Sequence, residues 1–261
     1  LPVDEIPTYL ASGELEIGDY LGTYYVCFNT EDEVFSDPNI RKAFSLVIDR
    51  NYIVENVSQA GEVPADGYVP NGVNDAAGAG SDDFRTVGGS YYSISDEDYE
   101  ANCEEARQLL ADAGYPNGEG FPKVELLYYT SESDKKICEA IQQMWKDNLN
   151  ITVDLRNEDK SVCLQTKREG KFDISLSGWS AGYYDASQMI KQFKLDSGCM
   201  AQWRYAEDAS APHDKTLNPG QKAFEDTYQA AMAAQGAERD RLWTQAEEIL
   251  MDELPSCPLY Y

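Results

Sequence analysis

From residue 24 onward the chain alternates between hydrophobic spacings of two and of three to four. Tyr24 to Asn29 sets Tyr24, Val26 and Phe28 on one face, which predicts a strand. Ser36-Asp37-Pro38 then has the form of a helix cap with proline in the first turn, and Ile40, Ala43, Phe44, Val47 and Ile48 follow at helical spacing. Asn51 to Val57 predicts a second, short helix. Gly61 to Tyr92 has no period and is rich in Gly, Pro, Asp and Ser, so it reads as a long surface loop, with Asn71 to Gly89 more mobile than its surroundings. Periodicity resumes after the acidic Asp96-Glu97-Asp98, where Cys103, Ala106, Leu110 and Ala113 mark a helix that Gly114 ends.

Strand and helix then alternate. Val124 to Tyr129 predicts a strand; Ile137, Ile141, Met144, Trp145 and Leu149 a helix with a core-facing stripe; Ile151, Val153 and Leu155 a strand; Lys160 to Arg168 a helix; Phe172, Ile174 and Leu176 another strand. Two helices follow, around Phe224, Tyr228 and Ala231 and around Leu242, Ala246, Ile249 and Leu250, before a strand-like Cys257 to Tyr261. Such spacing predicts an α/β fold with right-handed crossovers and a mixed, mostly parallel sheet flanked by helices. Ligands in such sheets meet the loops at the carboxyl ends of the strands, where Gly178 to Asp185 is expected to leave the Phe172–Leu176 strand.

Charge narrows the partners. The 261 residues carry 21 Lys+Arg against 47 Asp+Glu, a net charge of −26, which repels phosphate backbones and excludes nucleic acid as a natural partner. No apolar run approaches the ~18 residues a membrane helix needs. The six cysteines, Cys27, Cys103, Cys138, Cys163, Cys199 and Cys257, include no C-x-x-C pair; their even number leaves disulfides open without pairing them, and Cys27, Cys103 and Cys138 read as small buried hydrophobes. The single histidine, His213, reads as an exposed loop residue. With one histidine and no EF-hand loop, no metal and no cofactor are expected.

Gly178-Trp179-Ser180-Ala181-Gly182 is a literal G-x-S-x-G, the pattern around the nucleophile of many hydrolases. The chemistry fits poorly. A nucleophile elbow needs a small residue before the serine, where Trp179 stands, and an acid and a histidine behind it. His213 is the only base, and the short stretch before it, with Asp185, Asp196 and Asp208, must hold both a helix and a further strand. Ser180 is therefore expected to be inert.

"TYYVCFNT" followed by "DPNIRKAFSLVIDRNYIV", then "GEVPADGYVP", "ARQLLADAGYPNGEGFPKVELLY", "IQQMWKDNLNITVDL", "GKFDISLSGWSAGYYDA" and "AEEILMDELPSCPLYY", resembles in order and spacing the solute-binding proteins of peptide-import ABC transporters, the oligopeptide- and dipeptide-binding type of solute-binding family 5. The resemblance covers nearly the whole chain. It implies a single lobe of a two-lobed, periplasmic-binding-protein type II-like fold, with 1–20 a lead-in or hinge segment, 21–261 the ligand-binding lobe and a Gly/Asp-rich loop at 61–95. The other lobe is expected from segments before Leu1 and after Tyr261. Implied too are a monomer outside the membrane, lipid-anchored or periplasmic, that captures a peptide or other small extended ligand and delivers it to ABC permease subunits without chemistry of its own.

By the same resemblance Ser177, Gly178, Trp179, Ser180, Ala181, Gly182, Tyr183 and Asp185 line the ligand cleft. Gly182 stands where peptide-binding members carry an aspartate for the ligand's α-ammonium, and Ala186 where proline is usual; Asp185 is the candidate substitute for that carboxylate. A serine hydrolase acting through Ser180, or a structural or adhesive surface domain, are the alternative readings.

Overall fold

The computed structural model describes residues 3–18, 20–74, 82–197, 200–204 and 218–261. After a short helix α1 (Ile6–Ser12) the chain enters strand β1 (Gly22–Phe28), then α2 (Pro38–Leu46) and α3 (Arg50–Tyr52), which runs on as a π-helical segment over Ile53–Ser58. A single-turn helix α4 (Phe84–Gly88) interrupts the long connection to α5 (Tyr99–Asp112). Strands and helices then alternate as β2 (Val124–Tyr129), α6 (Glu132–Leu149), β3 (Val153–Glu158), α7 (Lys160–Arg168), β4 (Ile174–Ser180) and α8 (Ala186–Ile190). The helices α9 (Pro219–Ala233) and α10 (Gly236–Glu253) precede the last strand, β5 (Ser256–Tyr260).

One sheet holds all five strands in the order β3-β2-β4-β1-β5. β2 runs parallel to β3 and β4, whereas β1 is antiparallel to both β4 and β5, so β1 alone is reversed. Alternation along the strands divides two cores. Val26, Phe28, Leu126, Ile174 and Leu176 face α2, α5 and α6, while Tyr25, Cys27 and Leu127 face α7 to α10.

The caps follow from the sequence. Asp37 accepts the Asn39 N–H with Pro38 behind it, and Ser131 accepts the Asp134 N–H at the start of α6. Two buried arginines tie the far end of the chain to α2 and α3. Arg41 donates to the Phe35 carbonyl at 2.6 Å and through Nε to the Glu253 carbonyl at 2.8 Å; Arg50 donates to the Pro258 carbonyl at 2.8 Å with its guanidinium over the Tyr92 ring. These are the arginines of the "DPNIRKAFSLVIDR" stretch, and they tie α2 to the end of α10 and α3 to β5.

The connection over 61–95 departs from a surface loop. Ala65 is buried, and Tyr68, Val69, Val73 and Phe84 are buried in the α7–α10 core. Glu247 of α10, wholly buried, accepts the Tyr68 and Val69 N–H groups at 2.8 and 2.7 Å and pairs with Arg85. Low periodicity concealed this because isolated apolar residues were spaced by turns. Residues 75–81, within the Asn71–Gly89 segment, lie outside the described residues.

Cys27, Cys103, Cys138, Cys163 and Cys257 are buried free thiols. Burial pushes the Cys27 thiol up to about 11. Cys199 and His213 lie outside the described residues. Among the described residues no helix is long and apolar enough to cross a membrane.

Candidate functional site

β4 is longer than the hydrophobic alternation indicates. Its ladder with β1 continues past Leu176 through Tyr25–Ser177, Tyr24–Gly178, Thr23–Trp179 and Gly22–Ser180. The missing apolar residues at Gly178 and Ser180 concealed the extension. Ser180 therefore sits in a paired, extended strand, without the sharp strand-to-helix turn a nucleophile elbow requires.

The strand end offers main-chain groups. The Ala181 N–H donates to the Leu21 carbonyl at one end of the β1–β4 ladder and the Asn29 N–H to the Asp173 carbonyl at the other. In an antiparallel ladder the groups facing the partner alternate, so Ser177 and Trp179 direct theirs to β1 while Gly178 and Ser180 direct theirs away. On that other side the ladder to β2 stops at Leu127–Ser175. Beyond it β4 has an open edge, the geometry an added strand uses.

A cleft of about 740 Å³ lies over the ends of β1, β4 and β5, with Gly178, Trp179 and Ser180 in one wall. Tyr24 from β1, Tyr260 from β5, and Tyr20, Glu62 and Tyr184 from the flanking segments complete much of the lining. Tyr20 and Tyr184 are 74% and 65% exposed, so their rings are free to cover a ligand. Tyr24 and Tyr260 stack with centroids 5.3 Å apart, and the Tyr24 hydroxyl donates to Asp134 at 2.7 Å. Burial, then the Asp134 charge, raises the Tyr24 hydroxyl well above its ordinary range, while burial raises the carboxyl of Asp134.

The other sequence candidates take different places. Ser177 is buried and its Oγ meets the Lys167 Nζ on the opposite face of the sheet. Trp179 is half-buried, with its indole N–H donating to the Gln188 carbonyl at 2.7 Å, so only part of the ring reaches the cleft. Ala181 continues the ladder to Leu21. Tyr183 is exposed but is not among the cleft-lining residues. Asp185 caps α8 by accepting the Ser187 N–H at 2.9 Å and pairs with Arg239 at 2.9 Å, so its carboxylate is already engaged. At Gly182 an added Cβ would meet only the Gln188 Oε1, at 3.5 Å, which leaves space for a ligand group.

Sequence reasoning missed Tyr20, Tyr24, Glu62, Tyr184 and Tyr260 as cleft residues. The sequence carries 18 tyrosines, but their positions along the chain do not mark which of them meet in the cleft. Among the described residues no group of three or more His, Cys, Asp or Glu is disposed to hold a metal ion.

Comparison with known proteins gives a consistent picture. A model of the family described as bacterial extracellular solute-binding proteins, family 5 Middle, matches residues 1–199. The periplasmic murein peptide-binding protein MppA of Escherichia coli is 32% identical over 95% of this chain and 41% of its own length. The periplasmic oligopeptide-binding protein OppA of Salmonella typhimurium is 30% identical over the same shares. The crystal structure of Haemophilus influenzae OppA in complex with RPPGFSPFR superposes with a TM-score of 0.80 at 27% identity, covering 100% of this chain and 47% of that one. This chain thus spans less than half the length of these relatives.

Proposed function

The chain belongs to the bacterial extracellular solute-binding proteins of family 5, and on that premise we propose that it forms one wall of a capture site for peptides or other extended ligands. The observation that carries this reading is the open edge of β4 at Gly178 and Ser180, two residues that also line an aromatic-walled cleft. An extended ligand laid there gains main-chain hydrogen bonds while its side chains are read loosely by tyrosine rings. In this reading 1–20 is a lead-in and 21–261 the lobe. The cleft is closed by a second lobe, and the ligand passes to an ABC permease outside the cytoplasmic compartment.

Gly178, Trp179, Ser180 and Tyr184 are the proposed contact residues, with Gly182 as open space and no catalytic step. The related MppA and OppA, named for murein peptides and oligopeptides, support peptide as the ligand class. Calorimetry with mixed tri- to pentapeptides tests it. Binding that is lost when the ligand's backbone amides are N-methylated is expected; binding indifferent to N-methylation, or none to any peptide, would sink the strand-addition reading.

A further inference from the structure

The charge around the cleft is one-sided. Among the described residues that line it there is no Lys, Arg or His, and Glu62 is the carboxylate. Glu62 is held in place: its Oε2 accepts the Ser58 hydroxyl at 3.0 Å and the Ala60 N–H at 2.9 Å, which leaves Oε1 for another donor. The chain beside it is fixed by pairing with the end of β5, through Val63 N–H to the Tyr261 carbonyl at 3.2 Å and Tyr261 N–H to the Val63 carbonyl at 2.8 Å. Behind the Tyr24–Tyr260 stack lies a second carboxylate, Asp134. The two act together on Tyr260, whose hydroxyl is pushed up first by burial, then by Glu62 and then by Asp134.

A carboxylate beside stacked aromatic rings, with no cation among the described lining residues to neutralise it, is a receptor for an ammonium or guanidinium group. We infer that Glu62, with the Tyr24–Tyr260 stack, forms a cation subsite that selects ligands carrying positive charge. The inference rests on the capture reading and adds to it a residue and a charge preference. The charge has two sources, an α-ammonium or a lysine or arginine side chain, and both present the same N–H donors to Oε1.

The test is calorimetry on the native protein with tetra-alanine peptides carrying one lysine at each position in turn, matched to norleucine isosteres, and each with a free or an acetylated amino terminus. The charged member of one pair is expected to bind about tenfold more tightly. If the preferred pair differs at the amino terminus the source is the α-ammonium; if it differs at a side chain the source is lysine. Glu62→Gln keeps an acceptor for Ser58 and Ala60, and should erase the preference between the charged and neutral members of the pair. Glu97→Gln, an exposed change away from the cleft, should keep the preference and so separate a local carboxylate from the protein's −26 field. No preference in the wild type, or one that survives in Glu62→Gln, while neutral peptides still bind, overturns the subsite and leaves the capture reading standing. Failure of every peptide to bind overturns both.

Discussion

At Gly178 the side chain is a hydrogen atom, and the Tyr24 ring takes the space a larger residue would need. An added Cβ would lie 2.8 Å from the Tyr24 Cδ2. Gly178→Ala should displace the ring from its stack on Tyr260 and its bond to Asp134, costing about 1–3 kcal/mol of stability. Urea unfolding measures the cost; an unchanged midpoint would show that the ring moves freely. One residue earlier, Lys167 lies buried beneath Ser177, near the Tyr129 ring and with no carboxylate partner among the described residues. Desolvation lowers its amine below the ordinary lysine range. The unfolded chain therefore holds this proton over a window, below the ordinary value, in which the folded chain has released it. Stability contributed at this site rises with pH through that window and is at its lowest where both states are charged. Lys167→Met is expected to stabilise the fold by about 1–2 kcal/mol near neutral pH, with an advantage that shrinks as pH rises toward the ordinary lysine value. A constant difference across that range would assign the effect to packing.

Between elements, a buried ion pair joins the 61–95 connection to α10. Arg85 reaches Glu247 with both guanidinium arms, the second at 2.7 Å, and Tyr91 donates to the same carboxylate at 3.1 Å. Removing the cation alone leaves a buried charge with main-chain donors and one phenol, so Arg85→Met should cost about 3–5 kcal/mol. Replacing both, as Arg85→Met with Glu247→Met, should recover part of that loss, because the buried charge goes as well. Thermal melts of the three proteins decide it: equal melting of wild type and Arg85→Met would show that the pair is not needed to hold the connection. This tie was not readable in the sequence, since Arg85 and Glu247 stand far apart in elements whose contact depends on the whole fold. The helices were readable because their stripes are local: Ile137, Ile141, Trp145 and Leu149 of α6 are all buried, and so are Cys103, Ala106 and Leu110 of α5. The end of β4 was not, because Gly178 and Ser180 break the apolar alternation while the backbone ladder runs on.

For the whole molecule, the sheet lies between the two cores and supplies side chains to both. Trp145 lies in the core of α2, α5 and α6, and Trp243 in that of α7 to α10, and β1 and β4 contribute side chains to both. Single-tryptophan proteins reporting from Trp145 or Trp243 are expected to unfold at the same urea concentration, whereas two separated midpoints would show that the layers fold independently. What the sequence determined by itself was the order of strands and helices, the α/β class and the resemblance that pointed to a peptide-capture lobe. These depend on local periodicity, caps and contiguous residue strings. Only the tertiary structure decided that β1 is the reversed strand, that Asp185 is spent on α8 and Arg239, and that Tyr24, Glu62 and Tyr260 share a cleft with Gly178. Those facts depend on strand order and register, which bring together residues from opposite ends of the chain, and no spacing along the chain encodes such a meeting.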